Sequence, residues 1–288
     1  ISPLIGEKID IPAPDVNTNG KIMSWMVDAY ENVVKKSAPG VFTGKPVEFG
    51  GSLARTEATG YGVNFAAVQA LEKLGKDVKG ATYAIQGFGN VGYHTGYYAH
   101  QSGAKVVAVS TVDVAIYNEN GLDMEALFKE FQEKGFITNE AGYGKEISNA
   151  ELLALDVDVL APCALENQLT SENAGKVRAK IVVEGANGPT TPEADAILRQ
   201  NGVLVVPDIL ANCGGVVVSY FEWVQNLQGY YWEFDEVQEK ETVVLRRAFR
   251  DIWNLAQEYD VDLRTASYMM SIRRVEKAMK LRDRKSVV

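Results

Sequence analysis

Short runs of β-branched residues alternate with helical patterns along most of this chain, and this alternation limits the possible folds more than any other feature. The runs are ATYAI from position 81, KVVAVS from 105, DVDVLAP from 156, KIVVEG from 180 and GVLVVPD from 202. Strands that alternate with helices are typical of βαβ units, whose strands lie parallel in one sheet. We therefore predict an α/β fold with a doubly wound, mostly parallel sheet over about residues 50 to 222.

Helical patterns fill the gaps between these runs. GLDMEALFKEFQEKG and TPEADAILRQNG place apolar residues at helical spacing and end in glycine, as helices often do. In the second stretch, Thr191 and Pro192 suit the N-cap and the first helical position. From Asp235 the strand-like runs stop, and VQEKETVVLRRAFRDIWNLAQEYD predicts a long amphipathic helix, followed by another that begins near Leu263. The chain should therefore end in C-terminal helices.

The stretch QGFGNVG follows the first strand-like run and opens a predicted helix. In that position, the G-x-G-x-x-G spacing is typical of the turn that holds a dinucleotide in a Rossmann-like sheet. Gly87 would allow the tight turn, Gly89 the approach of backbone amides to a pyrophosphate, and Gly92 the close packing of helix on strand. An ordinary glycine-rich turn between a strand and a helix is the alternative.

Two polar stretches outside this turn could act on a substrate. In IPAPDVNTNG, prolines at 12 and 14 stiffen an extended segment before Asp15, and a helix should start near Asn19. In LANCGGVVVSYFEWVQN, Asn212 and Ser219 lie among apolar residues, as the few polar groups of a ligand pocket do. A simple turn carboxylate and satisfied core polar groups are the alternatives at these two places.

Charge and composition exclude several classes of partner. The formal net charge of −9 disfavours nucleic acid and anionic membrane surfaces. No apolar run reaches the roughly 20 residues that a membrane span needs, and the start of the chain lacks signal-peptide features. With two histidines, two cysteines and no ligand spacing, we expect no metal site. We expect a cytoplasmic protein whose partner is a small molecule.

Five longer stretches resemble the signature stretches of the Glu/Leu/Phe/Val dehydrogenase family, and in particular its glutamate dehydrogenase branch. They are PAPDVNTNGKIMSWM, FTGKPVEFGGSLARTEATGYGV, QGFGNVG, EGANGPTTPEAD and VSYFEWVQN, in the family's order. The resemblance covers nearly the whole chain. It implies oxidative deamination of L-glutamate to 2-oxoglutarate and ammonia, with hydride transfer to NAD or NADP. It also implies that the full-length enzyme is a homo-hexamer.

The resemblance also implies roles for individual residues. Asp15 matches the carboxylate that assists proton transfer, Ser219 matches a hydroxyl on the substrate's side-chain carboxylate, and Arg55 matches a position near the substrate. Asn187 and Asn212 match residues beside the nicotinamide end of the coenzyme. The full set of expected coenzyme-binding residues is Thr59, Gly87, Gly89, Asn90, Val91, Gly92, Thr111, Asn187 and Asn212.

The chain departs from the family in three ways. It begins at Ile1, just before the Asp15 loop, so we expect a fragment without the N-terminal substrate domain and its lysines. The last six residues, DRKSVV, do not match the family's ending, and we expect them to be foreign. In VSTVDV, neutral Thr111 stands where relatives often carry an acidic residue, and no Arg or Lys follows in the loop. We therefore expect use of NAD or NADP with a modest preference for NAD.

The resemblance divides the chain into three parts. Residues 1–45 would be the remnant of the substrate domain with the Asp15 loop, 46–222 the dinucleotide-binding domain, and 223–288 C-terminal helices that pack back on the substrate domain. Two other functions stay open. A paralogous leucine, phenylalanine or valine dehydrogenase would share the nucleotide domain but should lack the hydroxyl of Ser219. A non-catalytic NAD-binding module would need neither Asp15 nor Ser219.

Overall fold

The structure, a computed structural model, describes residues 1–15 and 17–282. All five predicted runs form strands, and two further strands lie between them. The strands are β1 (Thr82–Gln86), β2 (Lys105–Ser110), β3 (Ala115–Tyr117), β4 (Lys145–Ile147), β5 (Val159–Pro162), β6 (Ile181–Val183) and β7 (Leu204–Val206). The six terminal residues that we expect to be foreign lie outside the described residues.

In the described part of the chain, the strands form one sheet of seven in the order β4-β3-β2-β1-β5-β6-β7. β1 pairs in parallel with β2 on one side and β5 on the other, and parallel pairing continues to β6 and β7. The order of the strands therefore reverses at β1, where such sheets bind ligands. The last residue of β1, Gln86, lies opposite Ser110 of β2 and Pro162 of β5, so three strands end level. The predicted doubly wound, mostly parallel sheet is confirmed.

The strands β3 and β4 have no counterpart in the sequence prediction. β3 runs antiparallel to β2, and β4 runs antiparallel to β3. Each has only three residues, and β4 reads KEI with both charged residues exposed. A segment this short carries no detectable alternation of apolar and polar residues. Each of these two strands is recognised only by its hydrogen bonds to a neighbouring strand.

Of the ten α-helices among the described residues, six lie where the sequence predicts them. They are α1 (Gly20–Val34), α2 (Ala58–Lys73), α3 (Asn90–Gln101), α4 (Met124–Lys134), α5 (Asn149–Leu153), α6 (Pro192–Gln200), α7 (Asp208–Ala211), α8 (Gly214–Gln228), α9 (Phe234–Tyr259) and α10 (Leu263–Leu281). Asn19 caps α1 by accepting the N–H of Ile22 at 3.1 Å, and Thr191 caps α6 by accepting the N–H of Ala194 at 3.3 Å. The two long C-terminal helices are α9 and α10, as predicted.

Apolar side chains cover both faces of the sheet. One core cluster includes Tyr83 and Ile85 of β1 together with Phe249 of α9. The cluster on the opposite face includes Ala84 of β1 and Leu198 of α6. Successive side chains of a strand point to opposite faces, so a strand buried on both sides is a continuous apolar run. This burial explains why the five runs are visible in the sequence.

The chain forms two compact units. Residues 1–59 and 214–244 form one, here called the helical unit, and residues 60–213 with the chain from 245 onward form the other, here called the sheet unit. The boundaries of these compact units differ from the predicted domain boundaries after residues 45 and 222. Ala54 belongs to the helical unit because it packs in one apolar cluster with Val218 and Val237. The division by function into residues 1–45, 46–222 and 223–288 stays a prediction.

Across the described residues, no helix has the length and apolar character needed to cross a membrane. The same residues contain no group of three or more His, Cys, Asp or Glu side chains that could hold a metal ion.

Candidate functional site

The glycine turn of the sheet unit follows β1 directly. Gly87 has a φ of +87°, and a Cβ there would lie 2.8 Å from the backbone of Ala164. A Cβ on Gly92 would overlap the carbonyl oxygen of Gly87. Gly89, in contrast, has no atom within 4 Å of the position that its Cβ would occupy. The first and third glycines thus meet demands of the turn itself, whereas Gly89 leaves open space where a ligand could approach.

The N-terminus of α3 borders this space. Gly89 is the N-cap residue, and the exposed Asn90 and half-buried Val91 begin the helix. The first N–H groups of a helix have no acceptor within the helix, and its dipole favours negative charge there. The predicted residues from Gly87 to Gly92 therefore form a turn with the geometry of a phosphate site.

The hydroxyl groups at the end of β2 accept hydrogen bonds from the protein backbone. Ser110 is buried, and its Oγ accepts the N–H of Gly87 at 3.2 Å. Thr111 Oγ1 accepts the N–H groups of Asp113 and Val114, both at 3.2 Å. The Thr111 hydroxyl thus holds its own loop together, so a bond to a coenzyme ribose would compete with these contacts. Its role in coenzyme binding stays a prediction.

The structure brings together the two residues expected at the nicotinamide end. Asn212 Nδ2 donates to Asn187 Oδ1 at 2.7 Å and to the carbonyl of Gly185 at 3.3 Å. Because the amino group of Asn212 is used twice, Asn212 can offer its Oδ1 as an acceptor, while Asn187 can offer its Nδ2 as a donor. A neighbouring donor and acceptor complement a primary carboxamide, the group that nicotinamide carries.

Asp15 of the helical unit lies in an exposed turn before α1. Its N–H donates to Thr18 Oγ1 at 2.7 Å, and its carbonyl accepts the N–H of Thr18 at 3.0 Å. The backbone of Asp15 therefore makes the turn that the two prolines predict. This geometry is the same whether Asp15 serves only in the turn or also uses its carboxylate in catalysis. The catalytic role of Asp15 therefore stays a prediction.

Arg55 and Ser219 of the helical unit contact each other. Arg55 Nε donates to Ser219 Oγ at 2.8 Å, and Ser219 is buried. Because the guanidinium occupies a lone pair of the hydroxyl oxygen, the Ser219 proton is available to a further acceptor. Burial lowers the pKa of Arg55, and the charge of Glu222 opposes that shift. A half-buried cation beside a hydroxyl donor is suited to a carboxylate.

Thr59, expected to contact coenzyme, packs against the start of α8 in the helical unit. A Cβ on Gly215 would overlap Thr59 Oγ1, and a Cβ on Gly214 would overlap the carbonyl oxygen of Ala58. The two glycines are therefore explained by close packing of α8 against the start of α2. This packing fixes the Thr59 side chain, whose role toward coenzyme stays a prediction.

The sequence interpretation missed a buried ion pair beside Ser219 on α8. Lys45 Nζ lies 2.6 Å from Glu222 Oε1, and both side chains are fully buried. Lys45 Nζ also donates to the carbonyl of Phe42 at 2.6 Å, and Glu222 accepts the N–H of Gly44 at 2.9 Å. Burial lowers the pKa of Lys45, and Glu222 opposes this shift. Glu222 inside the apolar run VVVSYFEWV was the available signal, but its partner is 177 positions away.

Glu241 of α9 is a second buried carboxyl that the sequence interpretation missed. It is buried in the helical unit, and its Oε1 has no hydrogen-bond partner. Burial, with the charge of Glu57, raises the pKa of Glu241 to about 9, although Arg55 opposes the shift. Glu241 therefore carries a proton at neutral pH. The protonated Glu241 carboxyl has no charge, so it does not neutralise the positive charge of Arg55.

A doubly wound sheet with this glycine turn defines a dinucleotide-binding protein. The chain matches the family described as Glutamate/Leucine/Phenylalanine/Valine dehydrogenase over residues 50–283. Its residues 1–32 match the dimerisation domain of Glu/Leu/Phe/Val dehydrogenases. The chain therefore belongs to the Glu/Leu/Phe/Val dehydrogenase family, and the predicted family and NAD(P)-linked oxidoreductase class are confirmed.

Three relatives illustrate the similarity. The chain is 55% identical to the NAD-specific glutamate dehydrogenase of Clostridioides difficile over 284 residues, which cover 97% of this chain and 67% of that protein. The crystal structure of glutamate dehydrogenase from Peptoniphilus asaccharolyticus has a TM-score of 0.85 at 44% identity, covering 98% of this chain and 67% of that one. The hetero-hexameric glutamate dehydrogenase from Thermus thermophilus, in its Leu bound form, has a TM-score of 0.91 at 34% identity, covering 98% and 66%. The chain thus spans about two thirds of the length of these relatives.

Proposed function

We propose that this chain supplies the coenzyme-binding residues and part of the substrate-binding residues of an enzyme that oxidatively deaminates L-glutamate to 2-oxoglutarate and ammonia. The observation that carries this proposal is the contact between Arg55 and Ser219. A side-chain carboxylate can accept the Ser219 proton beside the guanidinium, whereas leucine, phenylalanine and valine side chains offer no acceptor. A site built to hydrogen-bond a substrate group strongly rejects analogues that lack it.

We infer the following roles for predicted residues in this reaction. Bound NAD or NADP would supply the hydride acceptor. The turn from Gly87 to Gly92 would hold its pyrophosphate, and Asn187 and Asn212 would hold the nicotinamide carboxamide. Asp15 would move protons at the substrate nitrogen and the attacking water, which requires a group that both accepts and returns a proton. The similar enzymes named NAD-specific support NAD as the preferred coenzyme.

We also propose that the full-length enzyme is a homo-hexamer with small-molecule partners only. The similar Thermus thermophilus enzyme is described as hetero-hexameric, which supports an assembly of six subunits. Light scattering of the enzyme expressed from its whole coding sequence should give six times the subunit mass. A stable dimer would contradict the hexamer.

The proton-transfer role is tested by Asp15→Asn in the whole enzyme. The amide keeps the shape of the side chain but cannot take up a proton, so kcat for glutamate oxidation should fall about 100-fold or more. The dissociation constant for NAD⁺ should stay within about threefold of the wild-type value. Asp10→Asn, in the same exposed segment, is the matched control and should leave kcat unchanged. A kcat within about threefold of wild type would reduce Asp15 to a turn residue.

The substrate role of Ser219 is tested by Ser219→Ala with two substrates. Loss of one hydrogen bond to a charged group should lower kcat/KM for L-glutamate about tenfold. L-norvaline has no side-chain carboxylate, so its kcat/KM should change little. The measured quantity is the ratio of kcat/KM for the two amino acids. An unchanged ratio would favour a paralogous dehydrogenase for apolar amino acids, and tight NAD⁺ binding without any turnover would favour a binding module.

A further inference from the structure

Arg264 of α10 joins three carboxylates from different elements of the sheet unit. Its Nη2 lies 2.7 Å from Glu184 Oε1, its Nε lies 2.6 Å from Asp195 Oδ2, and its Nη1 lies 3.5 Å from Asp208 Oδ1. These four residues are here called the Arg264 cluster. Glu184 directly follows β6, Asp195 lies on α6, and Asp208 begins α7.

The cluster lies largely out of solvent. The Glu184 side chain is fully buried, and the Arg264 side chain is 23% exposed. Burial alone disfavours the charged guanidinium, but the hydrogen bonds and charges of Glu184 and Asp195 raise the pKa of Arg264 overall. A buried carboxylate is stable only when it is paired and hydrogen-bonded, so Glu184 depends on Arg264.

Two further hydrogen bonds connect the cluster to the backbone that carries the asparagine pair. Glu184 Oε2 accepts the N–H of Asp208 at 2.8 Å, and Asp208 Oδ2 accepts the N–H of Gly188 at 2.8 Å. The segment after β6 carries Asn187, and the segment after β7 leads through α7 to Asn212. One guanidinium thus ties together the two segments whose amide side chains meet at 2.7 Å.

We propose that Arg264 is a positioning residue for the nicotinamide end of the coenzyme, an inference that rests on the proposed function. By holding Glu184 and Asp208, it fixes the spacing of Asn187 and Asn212, and with it the donor and acceptor that they present. Arg264 itself need not touch the coenzyme. The cluster contains its own control, because Asp195 binds the same guanidinium but lies on α6, which carries neither asparagine.

The experiment compares two ligands that differ only at the nicotinamide end. Dissociation constants for NAD⁺ and for ADP-ribose, which lacks nicotinamide, are measured by calorimetry on the whole enzyme without substrate. Arg264→Gln should weaken NAD⁺ binding about tenfold, or about 1.4 kcal/mol, and ADP-ribose binding less than threefold. Asp208→Ala should change the same ratio in the same direction. Asp195→Ala should lower the melting temperature without changing the ratio.

Two further variants keep the result interpretable. Arg199→Gln removes an exposed arginine that pairs with Asp262 at 3.2 Å, and it should change neither ligand's affinity. If Arg264→Gln fails to fold, Arg264→Lys and Asp208→Ala carry the test, since lysine keeps the charge but cannot reach three carboxylates in the same fork geometry. Equal weakening of both ligands, or none, in folded variants would overturn the positioning role alone. Absence of binding of either ligand to the wild-type enzyme would overturn the proposed coenzyme site, and the positioning role with it.

Discussion

The predicted substrate residues of the helical unit lie among buried charges, whereas the predicted phosphate turn of the sheet unit consists of glycines and backbone. In the helical unit, Arg55 and Ser219 lie near the buried ion pair of Lys45 and Glu222. In the sheet unit, GFGNVG contains no charged residue, and the groups predicted to bind an anion are the N–H groups at the start of α3. Both arrangements suit an anion, but they reach this property by different physical means.

This difference predicts different sensitivities. Charges withdrawn from water depend on their partners, so the helical unit should respond strongly to loss of charge and to pH. Backbone donors bind water when the ligand is absent, and at Gly87 and Gly92 there is no space for a side chain. The turn of the sheet unit should therefore respond to added volume.

The largest effect is expected for Lys45→Met. Removal of one partner leaves the buried Glu222 carboxylate unpaired, which should lower the free energy of unfolding by about 3–5 kcal/mol in urea denaturation. Lys180→Met removes a partner of Asp156 at the surface and should cost less than about 0.5 kcal/mol. The double variant with Glu222→Gln should recover part of the loss. If Lys45→Met lowers the free energy of unfolding no more than Lys180→Met does, the buried charges of the helical unit are not especially sensitive to the loss of a partner.

A slightly smaller effect is expected in the glycine turn, where two substitutions of equal size should differ. Gly92→Ala places a methyl group on the carbonyl oxygen of Gly87 and should destabilise the fold by about 3 kcal/mol. Gly89→Ala meets no protein atom, so it should leave the melting temperature nearly unchanged while weakening NAD⁺ binding. If Gly89→Ala leaves the dissociation constant unchanged, the open space is not the phosphate site.

A more modest effect, which depends on pH, is expected for Glu241→Gln. The pKa of Glu241 is raised to about 9 from 4.5, so between these values the folded protein holds a proton that the unfolded chain releases. The stability of the wild type should therefore fall as the pH rises through this range, and the glutamine variant lacks this fall. The advantage of the variant should grow steadily from pH 5 to pH 8, measured by chemical denaturation. Glu239→Gln, exposed on the same helix, should show no such trend.

The smallest effect is expected for Thr111→Asp at the end of β2. A carboxylate there should repel the 2′-phosphate of NADP and raise the preference for NAD about tenfold, or about 1.4 kcal/mol. Part of this gain is offset because the loop hydrogen bonds of Thr111 to Asp113 and Val114 change. The measurement is the ratio of kcat/KM for the two coenzymes in the whole enzyme. A ratio that falls would place the ribose away from this loop.

Most of the fold could be predicted from the sequence because its strands are buried on both faces. Such strands are continuous apolar runs, and five of the seven strands were identified in this way. Caps at Asn19 and Thr191 were predictable because they use contacts within three residues of sequence. The strands β3 and β4 were not predictable, because three residues are too few to show an alternation of apolar and polar side chains. These strands form only by pairing with a neighbouring strand.

The candidate site was predictable only where it depends on local sequence. The glycine turn is local, and Gly87 has the positive φ that a tight turn requires. A side chain at Gly92 is excluded mainly by the carbonyl oxygen of Gly87 in the turn, whereas the prediction named the packing of helix on strand. The Arg264 cluster and the Lys45–Glu222 pair depend on contacts between residues 80 and 177 positions apart, so no local pattern indicates them. The expected closeness of Asn187 and Asn212 came from the family resemblance.

The two outer strands of the sheet differ in a way that affects solubility. An unpaired edge strand can recruit a strand from another molecule, which begins aggregation. At one edge, β4 carries the exposed charges of Lys145 and Glu146, which make such pairing unfavourable. At the other edge, β7 is packed against α10. Loss of α10 would therefore do more than remove Arg264: it would expose the apolar strand LVV at this edge and favour pairing of the sheets of two molecules.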